Sequence, residues 1–140
     1  MIVTPTLHFH GQCEEAIRLY QQAFGCRIGT LLHYSDADAR DWSAELTEAQ
    51  KHYVYHAEIF VGEQRIMMSD EIGLPAGAPA SVFLTVTFPT APEVRQAFAV
   101  LEQGGTVIYP LRSTTYSSCM GSLIDPYGFR WGLMTEQTER

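Results

Sequence analysis

Two apolar helical stripes, set a constant 77 residues apart, constrain this chain more than any other feature. Cys13, Ala16, Ile17, Tyr20 and Phe24 recur at helical spacing, while Glu14, Glu15, Arg18, Gln21 and Gln22 fall off that line. Such spacing predicts a helix with one face to bury. Val94, Ala97, Phe98 and Leu101 form the second stripe, and Ile17, Tyr20 and Phe24 map onto Val94, Ala97 and Leu101 at the common offset. Gly25 stops the first helix and Gly104-Gly105 the second. The second opens on Thr90-Ala91-Pro92-Glu93, which predicts a capping box. In it the Thr90 side chain accepts from the Glu93 amide and Glu93 reaches back. Pro92 is harmless in a first turn, where amides lack intrahelical partners.

Around each helix the pattern changes to strands. Residues 5–10 precede the first helix and 27–34 follow it; 53–61 and 64–69 then read as a hairpin about Gly62-Glu63. Residues 81–88 alternate apolar and polar before the second helix, and 106–109 follow it. Residues 116–124 and 129–134 close as a hairpin about Asp125-Pro126-Tyr127-Gly128. The expected fold is therefore α+β: two βαβββ modules forming a cupped mixed sheet. One helix and four strands cannot cover their own sheet, so two such units are expected to pack as a single domain over 1–134. The repeats cover about 1–70 and 81–134. Residues 71–80, with Gly73, Pro75, Gly77 and Pro79, read as the linker, and 135–140 as a polar tail. Residues 35–51 are an acidic insert of a length that usually carries function; a helical turn is expected at 45–50.

Charge excludes some partners. Lys plus Arg number 9 and Asp plus Glu 16, a net −7. No basic cluster exists for nucleic acid, and the charge repels anionic membranes. No apolar run approaches the roughly 20 residues of a membrane span. Met1-Ile2-Val3-Thr4-Pro5 lacks a basic n-region, which predicts a cytoplasmic protein. Cys13, Cys26 and Cys119 are odd in number and spread out, without a C-x-x-C, so neither a disulfide framework nor a cysteine zinc site is indicated.

Several segments carry a resemblance. Gly11-Gln12-Cys13-Glu14-Glu15-Ala16-Ile17-Arg18-Leu19-Tyr20, ending Ala23-Phe24-Gly25, resembles the first helix of vicinal-oxygen-chelate proteins. That superfamily contains glyoxalase I, extradiol dioxygenases, bleomycin-binding proteins and fosfomycin-resistance transferases. His56-Ala57-Glu58-Ile59, Ile66-Met67-Met68-Ser69-Asp70 and Asp125-Pro126-Tyr127-Gly128-Phe129-Arg130-Trp131 are similar to its PhnB-like branch. The resemblance implies a ligand cup with one metal ligand from each of four strands. The implied positions here are Pro5, Glu58, Ser81 and Gly132. Only Glu58 is a competent ligand, since proline and glycine side chains have no donor and serine is poor for zinc or iron. The expectation is no metal and no cofactor.

Other constellations compete with plain packing. His8-x-His10 puts two imidazoles on one strand face, which could hold zinc, but the resemblance turns that face toward the first helix. His56-x-Glu58 shares the face the resemblance makes the cup; imidazole beside carboxylate suits a general base, or a structural charged pair. Arg130, two residues before Gly132, would clamp an anion there, or else pair with Glu58. Ser81 lies at another inward position. Phe9, Phe83 and Tyr116 would wall the site or fill the core. Trp42 is a lid aromatic or packs on its own loop, and Trp131 belongs to the core. Cys119 lacks the basic neighbour a nucleophile needs, and Gly104-Gly105 lacks the lysine of a phosphate loop.

Three functions follow. The first is a small-molecule-binding member of the superfamily without the usual metal site. Its site has His56 and Glu58 in the catalytic positions and Phe9, Ser81, Phe83, Tyr116 and Arg130 around an anionic or aromatic ligand. The second is a metal enzyme using His8, His10, His56 and Glu58. The third is a non-enzymatic partner protein. A homodimer is expected, because open sheets leave edges and apolar surface to cover.

Overall fold

The structure, a computed structural model, describes residues 2, 4–42, 44–72, 83–114 and 117–136. The chain divides into two compact units, Met1–Gly77 and Ala78–Arg140. Each has the expected β-α-β-β-β order and carries its own four-stranded mixed sheet.

In the first unit the elements are β1 (Thr6–Phe9), α1 (Cys13–Phe24), β2 (Arg27–His33), α2 (Glu48–Lys51), β3 (Val54–Val61) and β4 (Gln64–Asp70). The sheet order is β1-β4-β3-β2, with β1 parallel to β4 and the other pairs antiparallel. Cys13, Ala16, Ile17 and Tyr20 of α1 are buried, as the stripe predicts. The helix packs on β3 and β4. There Ala57 lies opposite Met68 and Ile59 opposite Ile66, and all four are buried. Burying each large side chain contributes roughly 1.5–3 kcal/mol. Gly25 closes α1 at φ 63°, the left-handed conformation that a Cβ disfavours, and its amide bonds to the Gln21 carbonyl at 2.8 Å.

The other end of α1 has no local cap. Asp70 at the end of β4 supplies it. Oδ1 accepts from the Gly11 and Cys13 amides at 2.7 and 3.0 Å, and Oδ2 from the Val54 amide at 2.8 Å. One buried carboxylate thus joins α1, β3 and β4.

The insert is built from short 3₁₀ turns at Tyr34–Asp36 and Ala39–Asp41 and from α2, whose Thr47–Gln50 pair forms a capping box. Trp42 meets the Tyr34 ring edge-on at 5.0 Å and Tyr55 at 5.8 Å, while the Tyr55 hydroxyl donates to Asp41 at 2.6 Å. Of the two expectations for Trp42, packing within its own surroundings is the one observed. The three rings fill one another's space.

The second unit runs β5 (Leu84–Phe88), α3 (Ala91–Glu102), β6 (Thr106–Thr114), β7 (Ser117–Ile124) and β8 (Arg130–Thr135). Its sheet order is β5-β8-β7-β6, again with one parallel pair, β5 with β8. Val94, Ala97, Phe98 and Leu101 of α3 are buried, as are Cys119 and Leu123 of β7 and Trp131 and Leu133 of β8. Trp131 is core, as expected, and its Nε1–H donates to buried Asp125 at 2.8 Å. Asp125 also accepts from the Tyr127 and Phe129 amides and so fixes the closing turn.

Two local expectations are corrected. Thr90 makes no side-chain capping bond to α3. Pro92 at the second helical position removes one of the two amides such a cap serves, and the end is exposed, so water competes for the other. Strand β6 runs to Thr114, through Pro110. It is an edge strand, and its register with β7 shifts between Tyr109 and Arg112, around Pro110. No helix among the described residues is long and apolar enough to cross a membrane.

Candidate functional site

Strand alternation divides each sheet into a helix-packed face and an open one. On the open face of the first sheet, Glu58 lies between Thr30 of β2 and Met67 of β4, and His56 opposite Leu32. The expected His56–Glu58 pair is present, with Nε2 at 3.4 Å from Oε2. The closer partner is Arg65, diagonal on β4, whose Nη1 donates to Glu58 Oε1 at 3.0 Å. Sequence reasoning missed Arg65, although the hairpin register about Gly62-Glu63 puts it within reach. The guanidinium of Arg27 also lies 4.3 Å over the Phe60 ring on this sheet.

His8 shares this open face, because it pairs with Ser69 while buried Leu7 pairs with Met68. Its Nδ1 lies 2.9 Å from both Ser69 Oγ and Glu71 Oε1. The expectation that His8 turns toward α1 is corrected. Phe9 is the residue that faces the helix side, 2% exposed and opposite Asp70. Phe9 therefore lies on the other face from His56 and Glu58, because apolar Leu7 and Phe9 are the side of β1 that hydrophobicity buries. His8 and His56 stand on β1 and β3 with β4 between them.

The donor set at the positions that the resemblance implies does not suit a metal. Glu58 is engaged by Arg65 and His56, and Pro5 and Gly132 carry no donor. Among the described residues, no three His, Cys, Asp or Glu side chains gather in metal-binding range. Ser81 and Tyr116 lie outside the described residues. Cys119 is buried on the helix side of β7. Burial pushes the thiols of Cys13 and Cys26 up, the opposite of activation.

The second sheet brings Arg130 and Phe83 together. The guanidinium carbon sits 4.3 Å over the Phe83 ring. The ring lies across Gly132, where a Cβ would be 3.3 Å from Phe83 Cε2 and 3.1 Å from Thr85 Oγ1. Glycine at 132 thus leaves room for the ring. Gly132 is directly flanked by Thr85 on β5 and Ser122 on β7, and Ser122 by Tyr109 on β6. Arg130 forms no ion pair among the described residues. The strand positions of this open face hold no Asp or Glu. Sequence reasoning missed Ser122. Its signal was the closing hairpin, whose turn pairs Ile124 with Arg130 and so Ser122 with Gly132.

No family model matches the chain. Protein PA1353 from Pseudomonas aeruginosa has a similar structure, with a TM-score of 0.83 and 28% identity over 98% of each chain. A PhnB protein from Bacillus cereus is similar at a TM-score of 0.78 and 28% identity, over 96% of this chain and 99% of its own. Protein YjdN of Escherichia coli K12 is 24% identical over 137 residues, spanning 94% of this chain and 92% of YjdN. A glyoxylase/bleomycin resistance protein/dioxygenase domain from Frankia sp. EAN1pec shares the fold at a TM-score of 0.67 and 10% identity. Two successive βαβββ modules, each with one parallel strand pair, thus meet solved structures of the same fold across nearly their whole length, and the chain is similar to a PhnB protein and shares the fold of glyoxylase/bleomycin resistance protein/dioxygenase domains.

Proposed function

We propose that this chain binds a small anionic molecule with an aromatic or aliphatic body, without the superfamily's four-ligand metal site. The observation that carries this reading is the Arg130 guanidinium. It lies on the Phe83 ring, without an acidic partner among the described residues, on a face whose strand positions hold no carboxylate, in a chain of net charge −7. A cation so placed is available to an anion, and the ring offers the ligand's body an apolar neighbour. Glu58 is already engaged by Arg65, so this reading does not assign His56 and Glu58 to proton transfer. The reading includes a homodimer, and light scattering at micromolar concentration should show twice the monomer mass; a monomer alone would count against it.

The test is an NMR titration with benzoate and its neutral counterpart benzamide. Arg130→Met should weaken benzoate by about tenfold or more and leave benzamide within about twofold. Equal losses for the two probes, or none for benzoate, would overturn the reading.

A further inference from the structure

Ser122 is 3% exposed, and its hydroxyl has no hydrogen-bond partner. Arg130 Nε–H is likewise closed off from solvent and without an acceptor. Native proteins rarely leave such groups unmet, because each has lost its water and gained nothing in return. These are the two orphaned buried side-chain polar groups among the described residues, and they are neighbours. Ser122 is directly opposite Gly132, and Arg130 is diagonal to Ser122 on the same face of β8. Phe83, across Gly132, draws the guanidinium over that row. Ser122 thus lies across from Gly132 on β7, and Arg130 two residues before Gly132 on β8.

Resting on the reading of the Arg130 face as a ligand site, we infer that Ser122 and Arg130 together form a subsite for a monoanionic carboxylate. One carboxylate oxygen accepts from Ser122 Oγ–H and the other from Arg130 Nε–H. Charge selects the class. The row holds one guanidinium, which balances one negative charge. Arg112, the next cation of this sheet, lies opposite Met120, a full side-chain row away from Ser122. A phosphoryl dianion would remain half neutralised. Phe83 is 40% exposed and precedes β5, so its ring is the part that turns aside to admit the ligand. Gly132 keeps the space beneath free of a side chain.

Ser122→Ala separates this role from a structural one. A hydroxyl that served packing would lower stability when removed. An unbonded buried hydroxyl should cost nothing to remove, so the variant should melt at or above the wild-type temperature. It should nevertheless bind benzoate about tenfold more weakly at pH 8, with benzamide unchanged. Phenylphosphonate, mostly dianionic at that pH, should bind wild type more weakly than benzoate. Wild-type affinity for benzoate in Ser122→Ala, alongside the expected loss in Arg130→Met, would overturn this assignment and leave the anion-binding reading standing. Tighter binding of phenylphosphonate than benzoate would overturn the carboxylate class. No benzoate binding by wild type would overturn both readings.

Discussion

Asp70 shows how much one side chain does here. Its two oxygens serve three amides from two other elements, so an asparagine in its place would aim an N–H₂ at a donor. Asp70→Asn should lower unfolding free energy by about 2–3 kcal/mol, measured by urea denaturation; a loss below about 1 kcal/mol would contradict the role. Nothing near residue 70 signals this in the sequence, because the amides it serves are 16 to 59 residues away. Residues that act along their own strand were legible. Period-two alternation puts His56 with Glu58 and Arg130 with Gly132 on one face each, and the resemblance supplied which face is the inward one. Ser122 and Arg65 act across strands, and each needed a hairpin register before its partner could be named. Phe9 was misplaced for another reason: the implied inward parity of β1 conflicted with its apolar pattern, and burial of Leu7 and Phe9 prevailed.

Among the elements, both long helices were readable because their stripes span three turns, and a 3.6-residue period is hard to mimic over that length. Helix ends were less so. Gly25 was legible from its residue type, but the Thr90 motif matched a capping box that Pro92 undercuts. Thr90→Ala should therefore change the melting free energy by less than about 0.5 kcal/mol, where a working cap would cost about 1. Differential scanning calorimetry decides between these values. Strand β6 outran its expected end because Pro110 reads as a breaker, and only the position of a strand within its sheet tells whether proline is tolerated there.

For the molecule as a whole, stability should depend on pH through a contact between α1 and the end of β2. His33 bonds to Glu14 through Nε2 and approaches Asp36 through Nδ1 at 3.4 Å; Arg18 also reaches Glu14. The Glu14 bond holds His33 protonated above its usual 6.5 and holds Glu14 ionised below its usual 4.5. Folding favours protonated His33, so that contribution is full below pH 6.5 and fades as pH rises through the raised folded value. Folding favours ionised Glu14, so that contribution is full above pH 4.5 and fades as pH falls through the lowered folded value. The contact is strongest between those limits. Glu14→Gln should flatten the stability change above pH 6.5 and return the His33 NMR titration toward its usual midpoint. Both side chains are about a third open to water, so the effect on stability stays below about 1 kcal/mol.

The parallel edge pairing of β1 with β4 has a consequence in time. A chain made from its N-terminus produces β1 and α1 first. Yet within its sheet of described residues β1 pairs with β4 alone, and the amides at the start of α1 find their acceptor only when Asp70 arrives, 57 residues after Cys13. At roughly 5–20 residues per second, the ribosome leaves that strand and helix end waiting for roughly 3–11 seconds. The second unit repeats the arrangement with β5 and β8. During synthesis each half therefore completes its sheet only when its own last strand appears, and until then its first strand is an exposed template for the wrong partner.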